Sequence, residues 1–416
     1  MKKDDVHRLV DRAAGEAGRT TWHMARAGDG QIAQALGHIA SRLTSEAAAL
    51  LAANKEDLEE AQGALSAGGL DRLRLDEIRL AGMARQVRAL AALPPLERVA
   101  GRRVLDNGLE LEERRIPVGV IGANYEARPN VTVDFATQLV KPRNAGVLRT
   151  GGASLRSAAA LVDRVIGPGL ADAGLKAEAI QLVRTPDREA AEELVSLPGR
   201  IPPVILRGSG ETTAHLARLA TERGVRTLAH AEGGGVLYVG ARADTTMALR
   251  LIEASLDRLG VCNRLNLLLI DDRVYDSFLP QVLTLFASLG ISASLPPHAH
   301  PLGYEWANDP ERDATVTIGR AGGPGEAANI ADSNTSGLAA GIVTEDAGAA
   351  TAFMDRYRGT GVFWNATTRW LDGFELTAAP ETGINVDRVP GPRGPVTYRD
   401  LYLRQYAVKG DGTQHR

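Results

Sequence analysis

Apolar residues recur at helical intervals through the first hundred positions of the chain. Gln31 to Ala53 and Asp71 to Leu93 are rich in Ala, Leu, Arg and Glu and have no internal proline, so both stretches predict helices. After Pro94-Pro95 the period shortens. From Val104 to Arg115, Leu109 and Leu111 alternate with glutamates, which predicts a hairpin with one solvated face. From Pro117 to about Val239, short apolar runs alternate with helical segments: Val118-Gly119-Val120-Ile121, Gly146-Val147-Leu148, Val204-Ile205-Leu206 and Val236-Leu237-Tyr238-Val239. Strand and helix in alternation predict a parallel sheet with crossover helices, an α/β class. A second alternating block follows residue 262. Thr397 to Val408 reads as a further strand pair before the polar tail Lys409 to Arg416. No internal repeat or low-complexity linker is visible, and Ala321-Gly322-Gly323-Pro324-Gly325 is the most breakable connection.

Composition narrows the class. A chain of 416 residues with 44% hydrophobic content buries a substantial core and has room for two or three folding units. The 48 basic and 51 acidic residues give a formal net charge of -3, and aromatics are only 4%. That balance provides no electrostatic footprint for nucleic acid or an anionic membrane, and little for base stacking. A charged start, Met1-Lys2-Lys3-Asp4-Asp5, the lack of an apolar run of membrane-spanning length and a single cysteine lead us to expect a soluble, cytoplasmic protein without disulfides.

The single cysteine, Cys262, lies in Leu259-Gly260-Val261-Cys262-Asn263-Arg264, just before the apolar run Leu267-Leu268-Leu269-Ile270. It reads as a turn residue leading into a buried strand. Two readings stay open on spacing alone: a nucleophile whose thiolate is stabilised by Arg258 and Arg264, or a small hydrophobe packed beneath the strand. Elsewhere, the strand ending at Gly122 runs into Ala123-Asn124-Tyr125-Glu126-Ala127-Arg128-Pro129-Asn130, which sets polar side chains at the carboxyl edge of a sheet, where open α/β sheets bind ligands. Arg207-Gly208-Ser209-Gly210 also follows a strand, so the amides near Gly208 and Ser209 are candidates to face a phosphate. The Gly-x-Gly-x-x-Gly fingerprint is absent, which argues against an ordinary Rossmann dinucleotide turn.

Taken in order, these segments resemble the aldehyde dehydrogenase superfamily, and within it the gamma-glutamyl phosphate reductases, over nearly the whole chain. The resemblance is carried by Val118-Gly119-Val120-Ile121 leading into Tyr125-Glu126-Ala127-Arg128-Pro129-Asn130-Val131-Thr132-Val133-Asp134, by Asn144-Ala145 with Leu148-Arg149, and by Cys262-Asn263. Asn365-Ala366-Thr367-Thr368-Arg369-Trp370, Glu381 with Gly383-Ile384, and Arg393-Gly394-Pro395 complete it.

It implies an aldehyde dehydrogenase-like fold and an NADP-dependent reductase that converts gamma-glutamyl phosphate to glutamate-5-semialdehyde through a cysteine thioester, in the route to proline. Cys262 would be the nucleophile, with Asn130 beside the oxyanion. Arg149, Gly208, Ser209 and Glu232 would serve the cofactor, Arg149 reading the 2′-phosphate, with Glu232 available as a base were the thioester hydrolysed. Arg128, Arg369 and Asn365 would hold the substrate, a small molecule. The alternatives are a paralogue taking another acyl substrate and a non-catalytic scaffold. Against the reductase pattern, Leu338-Ala339-Ala340 replaces a His-Ser-Asp run, Asn266 replaces a glutamate, and Trp306 to Arg312 replaces an acidic-aromatic-apolar segment, which together predict a more apolar pocket wall. We expect residues 1–249 to form a cofactor domain, 250–390 a catalytic domain, and 391–416 with 103–115 an arm and tail. Strand edges on such an arm predict a homodimer or homotetramer.

Overall fold

The computed structural model describes residues 3–65, 67–208, 210–230, 233–309, 311–386 and 393–413. Helices dominate the amino-terminal quarter: Lys3–Arg26, Asp29–Ser45, Ala47–Ala61 and Glu77–Ala92. Their apolar stripes, for example Ile32, Leu36, Ile39 and Leu43, bury against the first sheet and its crossover helices.

That first sheet is five-stranded and parallel, in the spatial order Ile180–Leu182, Ala145–Thr150, Val120–Tyr125, Pro203–Arg207, Arg226–His230. Every residue of Val120–Tyr125 and Ala145–Thr150 is buried, as strands covered on both faces must be. The chain order reverses at Val120–Tyr125, whose successor lies on one side while Pro203–Arg207 lies on the other. Crevices at the carboxyl end of such a switch point are where α/β sheets take ligands. The turn after Val120–Tyr125 uses no glycine fingerprint and instead opens the helix Pro129–Val140 with Arg128 as its N-cap residue.

The second sheet is six-stranded and parallel, in the order Ser292–Ser294, Thr315–Ala321, Leu265–Asp271, Gly235–Val239, Ala339–Val343, Gly361–Trp364. It includes Gly235–Val239, which the sequence placed in the first block, so the sheets change over between residues 230 and 235 and not near 250. An apolar run of five shows that a strand is buried without showing which sheet buries it. Ala321 to Gly325 is a tight strand-to-helix turn, closed by the Gly322 N–H donating to Glu326 at 2.8 Å, and not a linker.

The expected hairpin forms but starts earlier than Val104: Val99–Val104 pairs with Glu110–Pro117, which takes a third antiparallel strand, Tyr402–Lys409, in register Tyr402 to Pro117 through Lys409 to Glu110. The expected strand pair over Thr397 to Val408 is a single strand. Thr397–Asp400 is instead a turn capped by Asp400, and Gly394–Val396 pairs with Gly383–Asn385.

Candidate active site

Cys262 sits in the turn between the helix Thr245–Ala254 and the strand Leu265–Asp271, at the amino edge of the six-stranded sheet. Two glycines clamp it from the neighbouring strand: the Gly234 N–H donates to the Cys262 carbonyl at 2.5 Å and the Gly235 N–H to the Arg264 carbonyl at 2.6 Å. Gly233 packs directly on the cysteine, and a Cβ there would lie 2.5 Å from Cys262 Cβ. Its N–H donates to Glu305 Oε1 at 2.7 Å, and its carbonyl accepts from the Ser336 hydroxyl at 3.0 Å. On the other side, Asn263 Nδ2 donates to the carbonyls of Arg369 and Leu371 at 3.1 and 2.9 Å. The Cys262 turn is thus held from both flanks, which suits a group that must present one atom reproducibly.

Cys262 is half-buried and packs against an apolar cluster of Leu338, Ala339, Leu371 and Ile384. Burial pushes its thiol up to about 11, while Arg207 pulls it down and Glu381 and Glu305 push it further up. The expected stabilisers do not do this work. Arg258 is exposed, and Arg264 is fully buried with its guanidinium donating to the carbonyls of Leu265, Asp313 and Thr315. Arg207, the last residue of its strand, is the cation that matters at the sulfur, and the sequence reading valued its neighbours' amides instead.

Arg128 lies within the field of Cys262 and of Arg207. Its Nε is 3.0 Å from Glu126 Oε1. Asn130, one turn position later, directs Nδ2 to Asp134 Oδ2 at 3.3 Å. Burial lifts the Asp134 carboxyl to about 6 and the Glu381 carboxyl to about 7, with Arg207 opposing both shifts. Glu381, which also accepts the Gly373 N–H, was not among the expected site residues. A solitary acid has no sequence signal for burial.

Two expected substrate ligands make hydrogen bonds within the protein. Arg369 Nε donates to Asp257 at 2.7 Å and its Nη1 donates to Asn263 Oδ1, so the guanidinium braces the nucleophile turn. Asn365 adopts φ 51°, donates to the Thr344 carbonyl at 3.0 Å and accepts the Thr344 N–H at 2.9 Å, closing the end of its strand.

The departures from the reductase pattern are also built into packing. Asn266 donates to the Tyr304 carbonyl at 2.7 Å and accepts the Trp306 N–H at 3.0 Å, which fixes Glu305 between them against Gly233. Leu338, Ala339 and Ala340 are fully buried, Leu338 and Ala339 in the apolar cluster beside Cys262 and Ala340 on the other face of its strand.

On the cofactor side, Arg149 is 8% exposed near the carboxyl end of its strand. It donates to Asn124 Oδ1 at 3.3 Å and to the carbonyls of Pro186 and Asp187 at 3.3 and 3.1 Å, while its buried Nε has no hydrogen-bond partner. Arg188 adds a second positive field there. Gly208 forms the bend after Arg207, and Ser209 and Glu232 lie outside the described residues. A buried guanidinium with an unsatisfied donor beside a second cation, at the carboxyl edge of a parallel sheet, fits an anionic dinucleotide.

A family model described as the aldehyde dehydrogenase family matches residues 10–300. The chain belongs to the aldehyde dehydrogenase family. It is an oxidoreductase acting on an aldehyde-type substrate, and within the family it groups with the gamma-glutamyl phosphate reductases. It is 35% identical over 393 residues to a protein of that name from Bartonella bacilliformis, spanning 92% of this chain and 94% of the relative. A Thermus thermophilus protein of the same name is 37% identical over 379 residues, 88% of this chain and 89% of that one. The crystal structure of gamma-glutamyl phosphate reductase from Thermotoga maritima superposes with a TM-score of 0.90 at 25% identity, covering 98% of this chain and 100% of that one.

Proposed function

We propose that the protein reduces gamma-glutamyl phosphate to glutamate-5-semialdehyde with release of phosphate, the step that its named relatives catalyse in proline biosynthesis, and that it uses NADPH in preference to NADH. The observation that carries this reading is the single cysteine, Cys262, clamped at one sheet edge and facing the Arg128 and Arg207 charges of the other.

Cys262 adds through sulfur to the acyl carbonyl carbon. The bond from that carbon to the phosphate oxygen breaks, its electron pair leaves on phosphate, and the thiol's proton passes to the departing phosphate, which leaves a thioester. Burial holds the Cys262 thiol above the usual thiol range, and Arg207 is the cation that opposes that shift. A nicotinamide held there would supply the hydride for the thioester carbon, and with one proton from solvent Cys262 returns as the free thiol when the aldehyde leaves. Arg149, with Arg188 beside it, is placed to hold the cofactor's anionic end, and a guanidinium suits a 2′-phosphate because its fork is planar and permanently charged. Gly208 lets the backbone approach the same ligand.

The five-stranded sheet and its helices serve as the cofactor domain, and the six-stranded sheet as the catalytic domain. The strand Tyr402–Lys409 ends its sheet with Leu403, Tyr406 and Val408 exposed, an edge suited to a second copy of the chain, in a homodimer or homotetramer. Among the described residues no helix is long and apolar enough to cross a membrane. We place the enzyme in the cytoplasm.

The test runs the reaction backwards. Purified protein with glutamate-5-semialdehyde, phosphate and NADP+ forms NADPH at a rate that depends on phosphate. Absence of turnover with this aldehyde, alongside turnover with another semialdehyde, transfers the assignment to a different acyl phosphate.

A further inference from the structure

Arg128 and Arg207 leave the first sheet side by side. Arg207 ends the strand Pro203–Arg207 and is in register with Tyr125, which ends Val120–Tyr125, and Arg128 follows three residues later. Those two strands flank the point where the chain order reverses, so both guanidinium groups stand at the mouth of the switch-point crevice. Neither is fully used by the protein. Arg207 makes one long hydrogen bond, 3.5 Å to the Thr382 carbonyl. Arg128 Nε is buried and lacks a properly directed acceptor, although Glu126 lies 3.0 Å away. Each cation lies in the field of Cys262, and Arg207 lowers the Arg128 pKa as a like charge does.

Two half-buried like charges held together with spare donors are costly unless an anion completes them. The carboxylates nearby are already engaged: Glu126 pairs with Arg128 at 3.0 Å, Asp134 accepts from Asn130, and Glu381, lifted to about 7, accepts the Gly373 N–H, which leaves Arg207 with no ion pair among the described residues.

We propose that Arg128 and Arg207 form the seat of the substrate's phosphate group, which places the leaving group of the acyl phosphate beside Cys262. The inference rests on the reading of the substrate as an acyl phosphate. A pair of guanidinium forks matches a tetrahedral dianion. The cofactor's pyrophosphate has the same chemistry, so the test must separate the two sources.

The probe is inorganic phosphate. Alkylation of Cys262 by iodoacetamide is followed at fixed ionic strength, with phosphate titrated against chloride, in the wild type, Arg207→Gln, Arg128→Gln and Arg207→Lys. Arg88→Gln, an exposed change of the same charge, is the control. We expect saturable protection in the wild type and the control, at least tenfold weaker in both Gln variants and partly restored in Arg207→Lys. In semialdehyde oxidation, the KM for phosphate rises at least tenfold in the Gln variants, while the KM for NADP+ stays within twofold. Phosphate that protects no better than chloride overturns the seat. So does a KM shift falling on NADP+, which assigns the pair to the cofactor. The alkylation assay needs no turnover, so a seat that protects in a protein inactive on the semialdehyde retains the seat and rejects only the proposed substrate. If a Gln variant melts far below the wild type, Arg207→Met and Arg128→Met give the same comparison.

Discussion

Gly233 and Cys262 are in direct contact across the amino edge of the catalytic sheet, and the contact leaves no room for a side chain. A Cβ on Gly233 would lie 2.5 Å from Cys262 Cβ and 2.7 Å from its Cα. Gly233→Ala must therefore push the nucleophile turn away. We expect about 1–3 kcal/mol of lost stability and a fall in kcat on the order of a hundredfold, measured by thermal melting and steady-state assay. A fully active Gly233→Ala would show that the turn tolerates displacement.

Arg369 separates a bracing role from a substrate-gripping one. Its guanidinium is committed to Asp257 and Asn263, so Arg369→Gln loosens the cysteine turn without removing a substrate contact. The expected result is kcat down by about tenfold or more with KM for the semialdehyde little changed, the pattern of a residue that positions chemistry. A rise in KM at constant kcat would restore Arg369 to the substrate.

Arg149 is expected to read the cofactor. Losing a charge-assisted contact to a 2′-phosphate costs about 1.5–3 kcal/mol, roughly ten- to a hundredfold in affinity. Arg149→Gln should weaken NADPH by that factor and NADH much less, as read by fluorescence titration. The ratio of the two constants is the informative quantity, because a general packing defect would weaken both equally.

Glu381 predicts a pH dependence of stability. Its folded pKa is raised from 4.5 to about 7, mainly by burial, so the folded protein holds the proton more tightly than the unfolded chain. The stabilisation is fully present below pH 4.5 and is lost as the pH rises through about 7. Glu381→Gln mimics the protonated form. It should melt close to the wild type at pH 4 and be more stable at pH 9 by about 3 kcal/mol. Identical pH profiles would contradict the burial of this carboxyl.

Much of the architecture was legible because it is local. The periodicities of Gln31 to Ala53 and of Leu109 to Arg115 each follow from which face is buried, and the turn position of Cys262 follows from the apolar strand after it. What escaped is non-local. Gly235–Val239 reads as a buried strand in either sheet, and only its pairing with Leu265–Asp271 and Ala339–Val343 decides. Arg369 looked free in sequence because its partner Asp257 is 112 residues away, and Asn365 because its αL turn is set by Thr344. Arg207 was hidden by the glycine beside it, which drew attention to backbone amides.

The covalent role of Cys262 is the claim on which the account turns, and intact-protein mass spectrometry tests it. Incubated with glutamate-5-semialdehyde and NADP+ in the absence of phosphate, the wild type should gain one acyl mass on Cys262. Added phosphate should discharge it, and Cys262→Ser, with its fold and cofactor binding intact, should gain nothing. An adduct that persists in Cys262→Ser, or phosphate-dependent turnover by that variant, would contradict the thioester mechanism.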